Sequence, residues 1–124
     1  MNTKHFTVAA QIVDAVSKGE GGSINLYGER PTRGYMVGGY SWTLTVIPDM
    51  FDTYTVMDFL DAHASALSWK NAYVGWWEHK GRIYLDVSKN FTVHHIAVED
   101  GKLNQEIAIW SLDTNSEIIL DKVK

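Results

Sequence analysis

The 124 residues are 45% hydrophobic and 21% charged, an ordinary globular balance that excludes a disordered chain and supplies apolar surface for one core. The absence of cysteine excludes a disulfide framework, a thiolate metal site and a cysteine nucleophile, and agrees with a reducing cytoplasm. A formal net charge of −4 argues against a general nucleic-acid binder, whose affinity rests on clustered Lys and Arg neutralising phosphates.

Phe6, Ala9, Ala10, Val13 and Val16 recur at helical spacing before Gly19, Gly21 and Gly22, which predicts a first helix over residues 6–18 ended by glycine. Gln11 and Asp14 interrupt its apolar stretch, so it reads as an amphipathic helix and not as a signal peptide or membrane span. SINLY (23–27) has the composition of a short strand, and GERPTRG (28–34) that of a turn. In the following GYMVGGYSWTLTVIP, Tyr40, Trp42, Leu44 and Val46 fall on one face and Thr43, Thr45 and Ile47 on the other. Gly38 and Gly39 mark a bend or bulge upstream, and Pro48 closes the strand.

A second helix is predicted from Thr55 and Asp58 in the [ST]-x-x-[DE] capping arrangement, with Thr53 as a rival cap. Val56, Phe59, Leu60, His63 and Leu67 line its apolar side, while Asp58, Asp61 and Ser65 point away. Two β-rich runs then flank His79, Lys80 and Gly81, as in a hairpin. Ile83, Leu85 and Val87 share one face, Tyr84 and Asp86 the other, and Trp76 and Trp77 lie on opposite faces of the partner strand. FTVHHIAVEDGKLNQEIAIW fits both a hairpin about Asp100-Gly101 and a helix bearing Val93, Ile96, Ala97 and Asp100. EIAIWSL, DTNS and EIILD read as a closing hairpin. The fold class is α+β: a single domain over residues 1–124, with a mostly antiparallel sheet of about six strands and two or three helices packed on it.

Several clusters invite chemistry. His95 and Glu99 at i and i+4 on a helix could share a cation with His94 or His79, but no HExxH or further ligand cluster accompanies them. His63, on an apolar helix face, reads as a core histidine. Asp86 and Ser88 lack any motif that would fix a nucleophile and its base, and the loop with Arg30, Thr32 and Arg33 lacks the Gly-Lys-Ser/Thr of a P-loop. No catalytic residue, metal or cofactor is expected. The charge is more telling. Residues 1–48 hold four basic and three acidic side chains, and residues 49–124 hold seven and twelve. Asp49, Asp52, Asp58 and Asp61 fall in a stretch without Lys or Arg, which makes the start and outer face of the second helix acidic. The helix dipole alone accounts for acids near an N-terminus; with Glu99, Asp100 and Glu106 they could also compete for the basic groove of a nucleic-acid enzyme.

The residues Gly34, Tyr35, Val37 and Gly38, then Tyr73, Val74, Gly75, Trp76 and Trp77, then Tyr84, Leu85, Asp86 and Val87, and finally Asn104, Gln105, Ala108, Ile109 and Trp110 form a pattern. It resembles small uncharacterised proteins encoded by phages, integrative elements and plasmids of actinobacteria and related Gram-positive bacteria, over about residues 22–120. The resemblance implies a helix over residues 92–103 with Asn104 as a left-handed cap, and it brings no catalytic residue. Together with the acidic second part it implies a non-enzymatic binding protein of a mobile element. The expected partner is a host protein, a defence nuclease blocked in the manner of anti-restriction or anti-CRISPR proteins. Asp49, Asp52, Asp58 and Asp61 would steer the encounter and exposed members of the Trp76, Trp77 and Tyr84 group would anchor it. The rivals are a small metal-dependent hydrolase using His79, Asp86, His94, His95 and Glu99, and a single-strand binder using exposed rings with Arg30, Arg33, Lys80 and Arg82. No membrane partner is expected, and a homodimer through an unpaired strand edge stays open.

Overall fold

The strongest local signal, two β-rich runs about His79, Lys80 and Gly81, builds the centre of the sheet, with His79 itself the last residue of its strand and not part of the turn. In the computed structural model, which describes residues 3–40 and 43–123, β4 (Ala72–His79) and β5 (Arg82–Phe91) pair along their whole length from His79 opposite Arg82 to Ala72 opposite Lys89. Lys80 (φ 51°) and Gly81 (φ 75°) both adopt the left-handed backbone, the two-residue turn whose twist matches that of the flanking strands.

The other strands are short and add at the sides. β1 (Gly22–Ile24) pairs with β4, while β2 (Tyr35–Val37) and β3 (Leu44–Val46) both pair with β5, against residues 89–91 and 83–85 respectively. β6 (Ala108–Ser111) joins β2, and β7 (Ser116–Ile119) joins β6. The result is a seven-stranded sheet in the order β1-β4-β5-β2-β6-β7 with β3 beside β5, antiparallel at every pairing. The run expected as a strand closed by Pro48, with a bend or bulge upstream at Gly38 and Gly39, is therefore two separate strands, between which Gly39 takes φ 88°. Leu44 and Val46 face the core as expected; Trp42 lies outside the described residues.

Among the described residues, the four α-helices pack on one face of the sheet. α1 (Thr3–Ser17) buries Val8, Ala9 and Ile12 against Val56, Phe59 and Leu60 of α2 (Thr53–Ala62), and this layer covers Ile24, Val74, Trp76, Leu85 and Val87 of the sheet. The helix breaks at His63 before the short α3 (Ala64–Leu67). α4 (His94–Leu103) carries Ala97 and Val98 onto Val37, Ile109 and Leu120. The helical reading of residues 92–103 thus holds, and Gly101 supplies a physical reason. A Cβ there would lie 2.8 Å from Leu120 Cδ1 and 2.9 Å from Ile109 Cγ2, so Asp100-Gly101 serves close helix-to-sheet packing and not a hairpin turn. No described helix is long and apolar enough to cross a membrane.

Two expected caps are corrected. Asp52, not Thr55 or Thr53, caps α2: its carboxylate accepts from the Thr55 amide at 2.8 Å, and its own backbone is extended. Asn104 has φ −83° and is not left-handed; Gln105, at φ 59°, turns the chain out of α4.

Candidate functional site

Alternation along β5 separates the face under the helices from a bare face on which no described helix packs, although Met36, Asp86 and Ser88 are themselves buried there. Ile83, Leu85 and Val87 meet the helices, whereas Tyr84, Asp86, Ser88 and Asn90 point to the side on which no described helix packs. Register adds Tyr73, Gly75 and Trp77 from β4, Thr45 from β3, Met36 from β2 and Trp110 from β6. Trp77 and Tyr84 stack with ring centroids 5.2 Å apart and planes 7° from parallel. The expected split of the adjacent tryptophans is plain: Trp77 is 41% exposed and Trp76 2%.

Trp76 therefore leaves the set of candidate partner-binding residues. Its strand position turns it to the helices, its indole N–H donates to the Glu20 carbonyl at 2.9 Å, and Arg30 lies over its ring at 5.3 Å. The same contact ties down one cation of the loop considered for phosphate. Trp77 and Tyr84 keep their places.

Asp86 is the unusual residue of the bare face. Only 8% exposed, its carboxylate spans two glycines: a Cβ on Gly75 would lie 2.7 Å from one oxygen, and a Cβ on Gly38 2.5 Å from the other. That same Gly38 point is 2.6 Å from a Glu106 carboxylate oxygen, so two acids from distant segments converge above one glycine. Burial first, and the neighbouring Glu106 charge second, push the Asp86 carboxyl up to about 7, and burial also raises Glu106. Among the described residues neither carboxylate accepts a hydrogen bond or meets a Lys, Arg or His. The Gly38 bend is pinned by Asn104, which donates to the Gly38 carbonyl at 3.3 Å and approaches Asp100 at 3.4 Å. Asp100 also accepts from the Tyr40 hydroxyl, and desolvation together with that bond holds Tyr40 well above its usual range.

The candidate acids of the second helix divide. Asp49 lies in the single 3-10 turn Pro48–Met50 and Asp52 at the cap. They flank a shallow hollow of about 360 Å³ lined by Thr45, Val46, Ile47, Met50, Thr55 and Arg82. Thr45 pairs with Tyr84, and Tyr84 with Trp77, which joins this end of the molecule to the bare face. Exposed Ile47, Met50 and Tyr54 make it apolar as well as acidic. Asp58 and Asp61 continue up the exposed side of α2. Asp61 is held by His5 of α1 at 2.5 Å; the other described ion pair joins Lys18 to Asp14. Of the additional acids, Asp100 is engaged by Tyr40 and Glu106 belongs to the Asp86 notch.

The histidines do not gather. His79 is exposed at the hairpin end, His94 meets the Tyr35 ring edge-on at 5.3 Å, and among the described residues no three His, Asp or Glu side chains could hold one metal ion. His63 is buried against Phe59, ring centroids 4.3 Å apart, and desolvation lowers its pKa, as befits a core histidine. Asp86 and Ser88 share a face, but Ser88 donates to the Tyr73 carbonyl. Comparison with protein-family models, curated proteins and solved structures returns no match.

Proposed function

We propose that this protein is a non-enzymatic, stoichiometric inhibitor encoded by a mobile element. It binds a basic nucleic-acid groove of a host defence nuclease, in the anti-restriction or anti-CRISPR manner, and so excludes the nucleic acid. The observation that carries this reading is the junction of an acidic helix start with a bare aromatic sheet face. Asp49 and Asp52 adjoin in sequence the Ile47 and Met50 that line the hollow with Arg82, and Thr45 of that lining is the cross-strand neighbour of Tyr84, which stacks on Trp77. Asp49, Asp52 and Asp58, which form no ion pair with Lys or Arg among the described residues, raise the encounter rate with a basic groove. A flat pair of rings beside them offers the apolar, rotamer-poor anchor on which interfaces concentrate their affinity.

The test is affinity capture from host lysate with the wild-type chain and with a Trp77→Ala, Asp52→Asn, Asp58→Lys variant. The expected result is a nucleic-acid enzyme retained by the wild type alone, whose cleavage activity falls linearly to a 1:1 end point as protein is added. Equal retention by both chains, or capture without loss of activity, would contradict the reading.

A further inference from the structure

We propose that the notch formed by Asp86 and Glu106 above Gly38 and Gly75 receives the guanidinium of an arginine on the protein partner. This deepens the inhibitor reading and rests on it for the identity of the donor. Four separate segments supply the notch, and its floor is glycine on both sides. A methyl group on Gly38 would occupy the space between the two carboxylates, and one on Gly75 would strike Asp86.

The occupant follows from charge and shape. Asp86 is more than nine-tenths buried, yet no donor among the described residues satisfies it. A buried carboxylate without a partner is costly to keep, and here a second carboxylate lies beside it. An incoming cation would meet acceptor oxygens from both groups at once. A guanidinium suits them better than an ammonium, because its planar fork donates to two carboxylates, sheds water more easily and stacks on rings. The rings are at hand: Tyr84 lies two residues before Asp86 on the same face, and Trp77 is the diagonal cross-strand neighbour stacked on it. A divalent cation fits less well, since calcium takes six or more oxygen ligands and no third His, Asp or Glu converges here among the described residues.

The probe is Nα-acetyl-arginine amide, titrated into the full chain while the carboxyl carbons of Asp86 and Glu106 and the Trp77 indole are followed by NMR. The expected result is a saturable shift of all three signals, weaker with the lysine analogue and absent with the citrulline analogue. Apparent affinity should fall at least about tenfold in Asp86→Asn and in Glu106→Gln, the order expected for one charge-assisted contact, and stay unchanged in Asp14→Asn, on the exposed side of α1. No saturable shift, an equal response to citrulline amide, full affinity in both notch variants, or the same shifts from calcium or magnesium chloride would each overturn the proposal. Two neutral isosteres, one on the strand and one on a loop, guard against a folding defect in either. Because no partner is needed, the results separate: a chain that binds its nuclease through Trp77 but ignores arginine amide loses this inference alone. One that takes up arginine amide but retains no nuclease loses only the inhibitor reading.

Discussion

At Asp86 the chain keeps an ionisable side chain where the fold itself would favour a neutral one. Its carboxyl lies at about 7 in the folded protein against an ordinary 3.8, so the folded state binds more protons than the unfolded state between those values. The stabilisation from this linkage is fully present below pH 3.8 and is lost as the pH rises through 7. At 1.36 kcal/mol per unit the loss amounts to about 4 kcal/mol, and burial raises Glu106 in the same sense. Asp86→Asn is therefore expected to raise stability above pH 7 by a few kcal/mol and to flatten the dependence between pH 5 and 8. Urea denaturation at those two pH values checks this, and equal pH slopes in wild type and variant would remove the linkage. None of this could be read from Asp86 in the sequence, because the notch is non-local. The hairpin was legible, but the pairing of Gly75 with Asp86 follows from the two-residue turn that leaves His79 opposite Arg82, where three turn residues were expected; Gly38 and Glu106 arrive through a bend and a helix exit that local pattern does not place.

Among the elements, those governed by near neighbours were legible. The apolar side of α2 and the β4 and β5 hairpin follow from spacing and turn chemistry, and both occur as expected. What failed were choices between adjacent candidates: Asp52 over Thr55 as cap, Gln105 over Asn104 as the left-handed residue, and a full break into two strands where Gly38 and Gly39 suggested a bend or bulge. Asp52 caps the helix through its carboxylate, and under the proposed function its charge also serves the partner surface, so two roles can be separated. Asp52→Ala should cost about 1 kcal/mol of stability, while Asp52→Asn, which keeps a capping oxygen, should cost only a few tenths. Thermal melts of the two variants check this, and equal losses would show that charge and not the cap bond matters there. In the hairpin, Lys80 is a non-glycine residue at φ 51°, a conformation that asparagine tolerates better. Lys80→Asn is expected to stabilise the protein by about 0.5 kcal/mol on the scale of such backbone substitutions, measurable as a higher denaturant midpoint.

At the scale of the molecule the decisive property is asymmetry. Among the described residues four helices cover one side of the sheet, and the other carries Tyr73, Trp77, Tyr84 and Trp110 with buried Asp86 beside half-buried Glu106. The α+β class was legible because alternating and helical periods differ in kind, but the side on which every helix would land was not, since that is set by long-range connections. The five tryptophans report directly on which side works. Trp76 is sealed in the core, Trp69 is exposed with Lys89 over its ring at 4.6 Å on the helix side, and Trp77 stands on the bare face. The most direct measurement is therefore fluorine NMR of the fluorotryptophan-labelled protein as the captured nuclease is added. The resonance of Trp77 should shift or broaden at stoichiometric partner while those of Trp76 and Trp69 stay in place. Movement of Trp69 with an unperturbed Trp77 would put the partner on the helices and contradict the assignment of the bare sheet face as the working surface.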